Sequence, residues 1–374
     1  MIYLDHNATT PVCSEAREAM RPFFEAGFGN PSSDYPVGRA ARAALEEARS
    51  RTAAAIGATP DEIVFTSCAT ESNNTVILGA ARALKDKGRR VVATAVEHPS
   101  VTNPVLHLLE NGWDAEFVGV DGAGRVDPDA VQKALRPGTV LLSVMHANNE
   151  TGSIQPVAEI GRMCRQRGVL FHVDAAQSMG KIPVNVGEIE ADFLTIAGHK
   201  IYAPKGVGAL YVRRGAPFEP LLRGGGQERG RRAGTENVAF AAALAAAIEA
   251  ATQNLADASA RMAALRDRLV TLLSDSVPGL AQNGDPDNRL PNTANVSFPG
   301  VSGAEVLAAA PEVLASTGAA CHAGASVSHV LVAMGLSRER ALGAVRLSLG
   351  RATTRDEVEA AAAAMVRAFR MLAG

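Results

Sequence analysis

The stretch DFLTIAGHKIYAPKGVGALYVRR occupies residues 192–214 and holds two apolar runs, FLTIA and GALYV. Short runs of this kind, bounded by glycine and proline, are typical of β-strands. The pattern therefore predicts two strands joined by a turn that carries His199 and Lys200.

Similar apolar runs alternate with helical patterns upstream of this stretch, from about residue 60 onward. The runs are EIVFT, RVVATAV, DAEFVGV, TVLLSVMHA and LFHVDAA. Between them, apolar residues recur at spacings of three and four over 70–86, 99–110 and 156–167, which predicts amphipathic helices. Such alternation is typical of an α/β fold, with a mainly parallel sheet covered by helices on both faces.

The rest of the chain predicts a second, smaller α+β domain. At 374 residues the chain exceeds the usual size of one hydrophobic core. A long alanine-rich helical stretch at about 237–275 leads into NTANVSFPG, a glycine-rich segment around Cys321, AVRLSLG and a last helix. We therefore predict a large domain over 14–255 and a small domain built from 1–13 and 256–374.

Charge and cysteine usage exclude several classes of protein. The 37 Lys and Arg residues nearly balance 39 Asp and Glu residues, for a net charge of −2, so nucleic acid is not an expected partner. The N-terminus lacks a signal-like pattern and no run of about 20 apolar residues occurs, so we expect a cytoplasmic protein without a membrane span. The four scattered cysteines suggest neither a disulfide framework nor a metal site; they are Cys13, Cys68, Cys164 and Cys321.

Polar residues follow three of the predicted strands: His98, then Asp174 and Gln177, then His199 and Lys200. Because ligands bind beyond the carboxyl ends of strands in α/β sheets, we expect them to share one site. A strand-end lysine can form a Schiff base with an aldehyde, and an aspartate can keep a pyridine nitrogen protonated. A pyridoxal 5′-phosphate site needs both a lysine and an aspartate in these roles. The alternatives are a solvated amine for Lys200 and an exposed strand-end carboxylate for Asp174.

The segment FTSCATESNN at 65–74 is a candidate phosphate site. A strand leads there into a helix that begins near Thr70, so the backbone amides of Ala69 and Thr70 and the Thr70 hydroxyl would face an anion. A plain N-cap formed by Thr70 or Ser67 explains the same residues, and the two interpretations are compatible.

Eight segments, in order, resemble the cysteine desulfurase and selenocysteine lyase family of the class V aminotransferase superfamily. They cover nearly the whole chain: YLDHNATTP, FTSCATESNN, VEHPS, MHANNETG, HVDAAQS, GHKIYAPKGVGALYVR, GGGQERGRRAGTENV and VRLSLGRATT. The resemblance implies a homodimer with the fold type I of pyridoxal-phosphate enzymes. It also implies conversion of L-cysteine or L-selenocysteine to L-alanine.

The resemblance further implies a role for each residue around the ring. Lys200 carries the cofactor, Asp174 pairs with the pyridine nitrogen, Gln177 bonds the phenolic oxygen and His98 stacks on the ring and takes part in catalysis. Asn149 lies beside the cofactor.

The same resemblance assigns the phosphate and the substrate carboxylate. The phosphate contacts come from Ala69, Thr70, His199 and Thr235 of the partner subunit. Many desulfurases have a serine where this chain has Ala197, so one hydroxyl donor is missing. Arg346, helped by Asn149, would clamp the substrate α-carboxylate as a bidentate donor; a surface salt bridge is the alternative for Arg346.

Cys321 lies in STGAACHAG at 316–324, without the branched apolar neighbours that bury a thiol. We expect the other three cysteines to be small buried hydrophobes. A lyase that removes sulfur from cysteine needs an acceptor nucleophile, and a thiolate at Cys321 would become a persulfide. His322 either tunes that thiol or is solvated. The segment GAACH and the residue Ala197 look closer to selenocysteine lyases. The sequence therefore does not decide between L-cysteine and L-selenocysteine as the substrate.

Two other functions remain compatible with the sequence. One is a class V aminotransferase, which would need a keto-acid acceptor and no nucleophilic cysteine. The other is a non-catalytic scaffold of a sulfur pathway. A sulfur- or selenium-acceptor protein is a candidate partner.

Overall fold

The computed structural model describes residues 1–317 and 327–374. Its strands are β1 (Ile2–Tyr3), β2 (Ile63–Thr66), β3 (Arg90–Thr94), β4 (Asp114–Val118), β5 (Thr139–Met145), β6 (Leu170–Asp174), β7 (Phe193–Ala197), β8 (Gly208–Val212), β9 (Ala281–Asn283), β10 (Thr293–Ser297), β11 (Val313–Leu314) and β12 (Ala344–Ser348).

The α-helices are α1 (Ser14–Glu25), α2 (Pro36–Ala54), α3 (Ala69–Leu84), α4 (Pro99–Glu110), α5 (Pro128–Ala134), α6 (Val157–Arg167), α7 (Val186–Ile189), α8 (Val238–Thr252), α9 (Leu255–Ser276), α10 (Gly303–Ala309), α11 (His329–Ala333), α12 (Arg338–Leu342) and α13 (Arg355–Ala373). Short 3₁₀ turns lie at Pro60–Glu62, Gly198–Lys200 and Gln227–Gly230.

A seven-stranded sheet forms the centre of the molecule, in the order β2-β8-β7-β6-β5-β3-β4. The pairs from β7 to β4 are parallel, and β8 runs antiparallel to both β2 and β7. Every residue of β5, β6 and β7 is buried, as expected for strands covered on both faces by helices. The predicted α/β class with a mainly parallel sheet is confirmed.

A smaller α+β part follows the sheet. It holds an antiparallel sheet in the order β12-β10-β9 and a parallel pair of β1 with β11. A separate apolar cluster packs Leu4 of the N-terminus with Leu269, Val296, Leu347 and Val358. The boundaries proposed above for the two domains remain a prediction.

The helical stretch predicted at about 237–275 forms two helices, α8 and α9, bent by 72°. The helix breaks at Asn254, whose φ of −129° and ψ of 46° are not helical. Most residues of α8 are buried, and α8 packs against α1 and α2, whereas α9 buries one narrow face. Alanine fits both surroundings, so the composition does not mark the change of direction.

No described helix alone has the length and apolar composition of a membrane span. The bent pair of α8 and α9 meets that test only together.

Candidate active site

The carboxyl ends of β5, β6 and β7 bring the predicted residues to one edge of the sheet. Asp174 ends β6 and lies in register with Met145 on β5 and Thr195 on β7. Lys200 follows β7 by three residues, in the 3₁₀ turn Gly198–Lys200.

Lys200 is half-buried and faces the N-terminal segment. Its Nζ donates hydrogen bonds to the carbonyl oxygens of Asn7 at 2.5 Å and Ala8 at 2.6 Å. Burial, followed by the nearby charge of Arg346, lowers the pKa of Lys200 to about 8. The solvated-amine interpretation is therefore wrong, and this amine loses its proton at a lower pH than an ordinary lysine does.

Asp174 is only 5% exposed, so the interpretation as an exposed strand-end carboxylate is wrong. Its Oδ2 accepts a hydrogen bond from Nδ2 of Asn73 at 2.8 Å, and its Oδ1 accepts one from the amide of Ala176 at 2.9 Å. Within residues 1–317 and 327–374, no cationic side chain forms an ion pair with it. A buried carboxylate in this state is a ready partner for a cation.

His98 is the N-cap of α4, and its ring faces an open groove of about 590 Å³ that Thr70 also lines. Its Nδ1 accepts a hydrogen bond from the amide of Ser100 at 3.1 Å, so the neutral ring carries its proton on Nε2. The surrounding protein desolvates the ring and lowers its pKa, with Asp174 opposing and Lys200 adding to that shift. The ring is therefore mainly neutral at pH 7.

The first turn of α3 leaves backbone amides available. The helix begins at Ala69 with Cys68 as N-cap, and no described side chain caps it. The plain N-cap by Thr70 or Ser67 is therefore wrong. Instead, Glu71 turns back to accept a hydrogen bond from the Ser67 amide at 2.8 Å.

His199 lies half-buried beside Lys200. Its Nδ1 lies 3.2 Å from Oγ1 of Thr9. Burial, reinforced by neighbouring lysines, lowers the pKa of His199 to about 4, so the ring is neutral at pH 7.

Arg346 reaches the same edge from β12 and is only 5% exposed, so the surface salt bridge is wrong for it. Its Nη2 pairs with Oδ1 of Asp5 at 2.7 Å, and its Nη1 donates to the carbonyl oxygen of Asn149 at 3.1 Å. Its Nε is buried without a hydrogen-bond partner among the described residues. One edge of the guanidinium thus keeps a free donor.

Gln177 is 5% exposed and connects two parts of the site. Its Nε2 donates to the carbonyl oxygen of Asn7 at 3.0 Å, and its Oε1 accepts a hydrogen bond from Nζ of Lys181 at 3.0 Å. The Asn7 carbonyl therefore receives donors from both Gln177 and Lys200.

The remaining predicted residues are placed differently. Thr235 is exposed, in the loop before α8, and its role in a partner subunit remains a prediction. Cys321 and His322 lie outside the described residues. Cys164 is buried, which raises the pKa of its thiol to about 12, whereas Cys13 and Cys68 are half-buried rather than buried.

The sequence matches the aminotransferase class-V family over residues 2–361. This chain belongs to that family. It is 45% identical, over 96% of its length and 91% of the relative's, to a cysteine desulfurase IscS of Dictyoglomus turgidum. It is 44% identical, over 96% of its length and 90% of the relative's, to the cysteine desulfurase NifS of Azotobacter vinelandii.

Solved structures of similar proteins superpose closely on this chain. A NifS-like protein superposes with a TM-score of 0.92 at 37% identity, covering 100% of this chain and 99% of that one. A structure titled SspA in complex with cysteine superposes with a TM-score of 0.84 at 35% identity, covering 95% of this chain and 100% of that one. Enzymes of this family depend on pyridoxal 5′-phosphate.

Four residues of this class V site escaped the sequence analysis: Asp5, Asn7, Asn73 and Lys181. Asn73 carried a usable signal, because it lies four residues after Ala69 on the buried face of α3, where an apolar residue is expected. Asp5 and Asn7 lie in the segment YLDHNATTP that carries the family resemblance, but their contacts with Arg346 and Lys200 form only in the folded chain. Lys181 carried no signal, because its contact with Gln177 depends on the turn after β6.

Proposed function

We propose that this chain binds pyridoxal 5′-phosphate at the carboxyl edge of its sheet. We further propose that it converts L-cysteine to L-alanine, with transfer of the sulfur to the thiol of Cys321. One observation carries this function: a lysine of lowered pKa and a buried carboxylate that has no ion-pair partner among the described residues lie at the ends of adjacent strands.

The residues fit each part of the cofactor. Asp174 suits a protonated pyridine nitrogen, and Gln177 has a second N–H for the phenolic oxygen. The uncapped first turn of α3, at Ala69 and Thr70, suits the phosphate, with His199 as a further donor. When bound, the cofactor supplies an electron sink for a bond broken at the substrate α-carbon.

Lys200 moves the proton of the α-carbon in this proposal. With a pKa of about 8, its amine takes and returns a proton near neutral pH more readily than an ordinary lysine. The Asn7 and Ala8 carbonyls hold Nζ in one place. His98 keeps a proton at Nε2 on the groove side of the site.

Arg346 recognises the substrate carboxylate. Its Nε, which has no hydrogen-bond partner among the described residues, can donate to a substrate carboxylate. Asp5 and the Asn149 carbonyl fix the guanidinium by its other donors, so the side chain is oriented before the substrate arrives.

Cys321 accepts the sulfur. Its thiolate attacks the substrate sulfur, an S–S bond forms and the C–S bond breaks. The electron pair of the C–S bond stays with carbon, which gains a proton to become the methyl group of alanine. The products are alanine and a persulfide on Cys321.

The relatives described above are cysteine desulfurases, which favours L-cysteine over L-selenocysteine as the substrate. We also propose a homodimer in which Thr235 of the partner subunit completes the phosphate site, and a protein that accepts the persulfide sulfur. Persulfide chemistry needs a reduced thiol, so we propose a cytoplasmic location.

The test is incubation of the cofactor-loaded protein with L-cysteine and no keto acid. We expect alanine in solution and a mass increase of one sulfur on Cys321. Cys321→Ala should lose desulfuration of cysteine, while the matched variant Cys13→Ala should retain it.

Three outcomes would contradict parts of the proposal. Alanine formation that requires a keto acid would indicate an aminotransferase. A protein with no cofactor absorbance and no alanine release would indicate a scaffold. Turnover of selenocysteine alone would indicate a selenocysteine lyase; we expect Cys321→Ala to keep a measurable part of selenocysteine cleavage, because selenide leaves more easily than sulfide.

A further inference from the structure

Lys181 is a buried lysine at the end of the turn that follows β6. It is 6% exposed, and its Nζ donates hydrogen bonds to the backbone oxygen and to Oε1 of Gln177, both at 3.0 Å. Gly180, at a φ of +71°, lets the turn pack closely against Ala251 of α8. Oγ of Ser259 donates to the carbonyl oxygen of Lys181 at 2.6 Å, so the residue is held from both sides.

The charge of Lys181 has no compensation nearby. In the described parts of the chain, no carboxylate pairs with its Nζ. Burial, together with the positive charges of Lys200 and Arg346, lowers the pKa of Lys181 to about 7. Lys181 and Lys200 both line a cavity of about 10 Å³, which has room for one water at most and not for an organic counter-ion.

A buried amine in this position is costly, and an apolar side chain would fill the same space without that cost. The two hydrogen bonds that Nζ donates equal the donor capacity of a neutral amine. Both protonation states can therefore hold Oε1 of Gln177.

The contact decides which way the Gln177 amide faces. The carbonyl of Asn7 accepts only from a donor, and Nζ of Lys181 donates to an acceptor, so Nε2 faces Asn7 and Oε1 faces Lys181. A flipped amide would place two oxygens against each other at Asn7. Without Lys181, only one partner would distinguish the two orientations.

We propose that Lys181 is a positioning residue of the active site, which orients the Gln177 amide so that its N–H groups face Asn7 and the cofactor. This inference rests on the proposed function, because it assigns the second N–H of Gln177 to the phenolic oxygen. A donor at that oxygen stabilises its anionic form and lowers the pKa of the chromophore that the cofactor forms with Lys200.

Several charged or titratable groups act on the two lysines. Arg346 lowers both pKa values, while Asp5 and Asp174 raise that of Lys200. His6 and His199 also feel Lys181, and each has a lowered pKa, so both are neutral above pH 7.

The experiment is a double-mutant cycle on the cofactor-loaded protein, with Lys181→Met, Gln177→Leu and the double variant. The readout is the pKa from a pH titration of the visible cofactor absorbance. We expect Lys181→Met to raise that pKa by about one unit. The double variant should match Gln177→Leu, because Lys181 acts through Gln177.

Lys181→Gln is the conservative variant. Its amide still donates a hydrogen bond, so its absorbance pKa should lie closer to that of the wild type. The exposed-lysine variant Lys87→Met should leave the absorbance pKa unchanged, and thermal unfolding identifies any variant that is simply unstable.

Two results would overturn the inference: an unchanged absorbance pKa in a folded Lys181→Met protein, or shifts that add in the double variant. A wild-type protein that shows no cofactor absorbance would overturn the proposed function instead. The two failures are therefore distinct.

Discussion

The turns after β6 and after β7 each carry a lysine, and both lysines lie beside the same small cavity. Lys200 is half-buried and donates to the backbone carbonyls of Asn7 and Ala8. Lys181 is almost completely buried and donates to the side chain of Gln177. Burial lowers the pKa of each amine, so charge alone does not separate them.

The two lysines differ in how accessible their amines are and in which groups they contact. A half-buried amine held only by carbonyl oxygens can exchange those bonds for a bond to an aldehyde. An amine enclosed by its own turn and by α8 and α9 can only orient its neighbour. In our proposal, the same residue type thus provides the reacting group in one turn and a positioning residue in the other.

The largest effect on turnover is expected from removal of the Lys200 amine. Lys200→Ala should abolish alanine formation, because no other amine on the open side of the site replaces it. The protein should stay folded and bind the cofactor weakly through the proposed phosphate contacts. Alanine release under steady-state conditions measures this, with the exposed Lys205→Ala as the control in the same turn. Normal turnover of Lys200→Ala would refute the assignment.

Asp174, directly before the Lys181 turn, gives the next largest effect. Asp174→Ala should lower kcat/KM by about 200-fold to about 5,000-fold, which corresponds to about 3 to 5 kcal/mol of lost transition-state stabilisation, because the cofactor loses its ionic partner. Asp192 offers a matched buried carboxylate at the other end of β7, where it accepts the Phe171 amide at 2.8 Å. Asp192→Ala should reduce stability without changing the turnover of the folded fraction. A loss below tenfold for Asp174→Ala would make that residue structural.

A substitution of Arg346 tests whether this side chain binds the substrate carboxylate. Arg346→Gln should raise KM for cysteine by about 10 to 100-fold, since a charge-assisted hydrogen bond contributes about 1.5 to 3 kcal/mol. The change in kcat should be smaller. Initial rates over a range of cysteine concentrations separate the two constants, and an unchanged KM would place the carboxylate elsewhere.

The smallest effect concerns stability and involves both lysines. Their pKa values of about 7 and about 8 lie below the ordinary 10.5, so between pH 8 and 10 the unfolded chain binds more protons than the folded one. The free energy of unfolding of the cofactor-free protein should therefore rise with pH in that window, by up to about 1.4 kcal/mol per pH unit for each lysine.

Urea unfolding at pH 8, 9 and 10 measures that slope, and Lys181→Met should reduce it. A slope that is flat or negative in the wild type would show that Lys181 keeps an ordinary pKa.

The sequence predicted the sheet and its central residues because strand periodicity and strand ends are local features. Lys200 and Asp174 follow buried strands directly, so their shared edge follows from topology. Lys181 was not predicted, because its burial depends on α8 and α9, which meet it from about 70 residues away. The bend at Asn254 was missed because alanine is a good helix former on either side of it.

The hydrogen bonds of Asn7 join a segment that is made early in synthesis to one that is made near its end. Its amide donates to Oγ of Ser348, 341 residues later, and its carbonyl receives Lys200. At about 5 to 20 residues per second, the ribosome needs about 20 to 70 s to make Ser348 after Asn7. The last strand of the central sheet, β8, ends at Val212, so from that point the strands of the sheet can pair while Arg346 and Ser348 have not yet been made. The proposed site is therefore completed only near the end of synthesis.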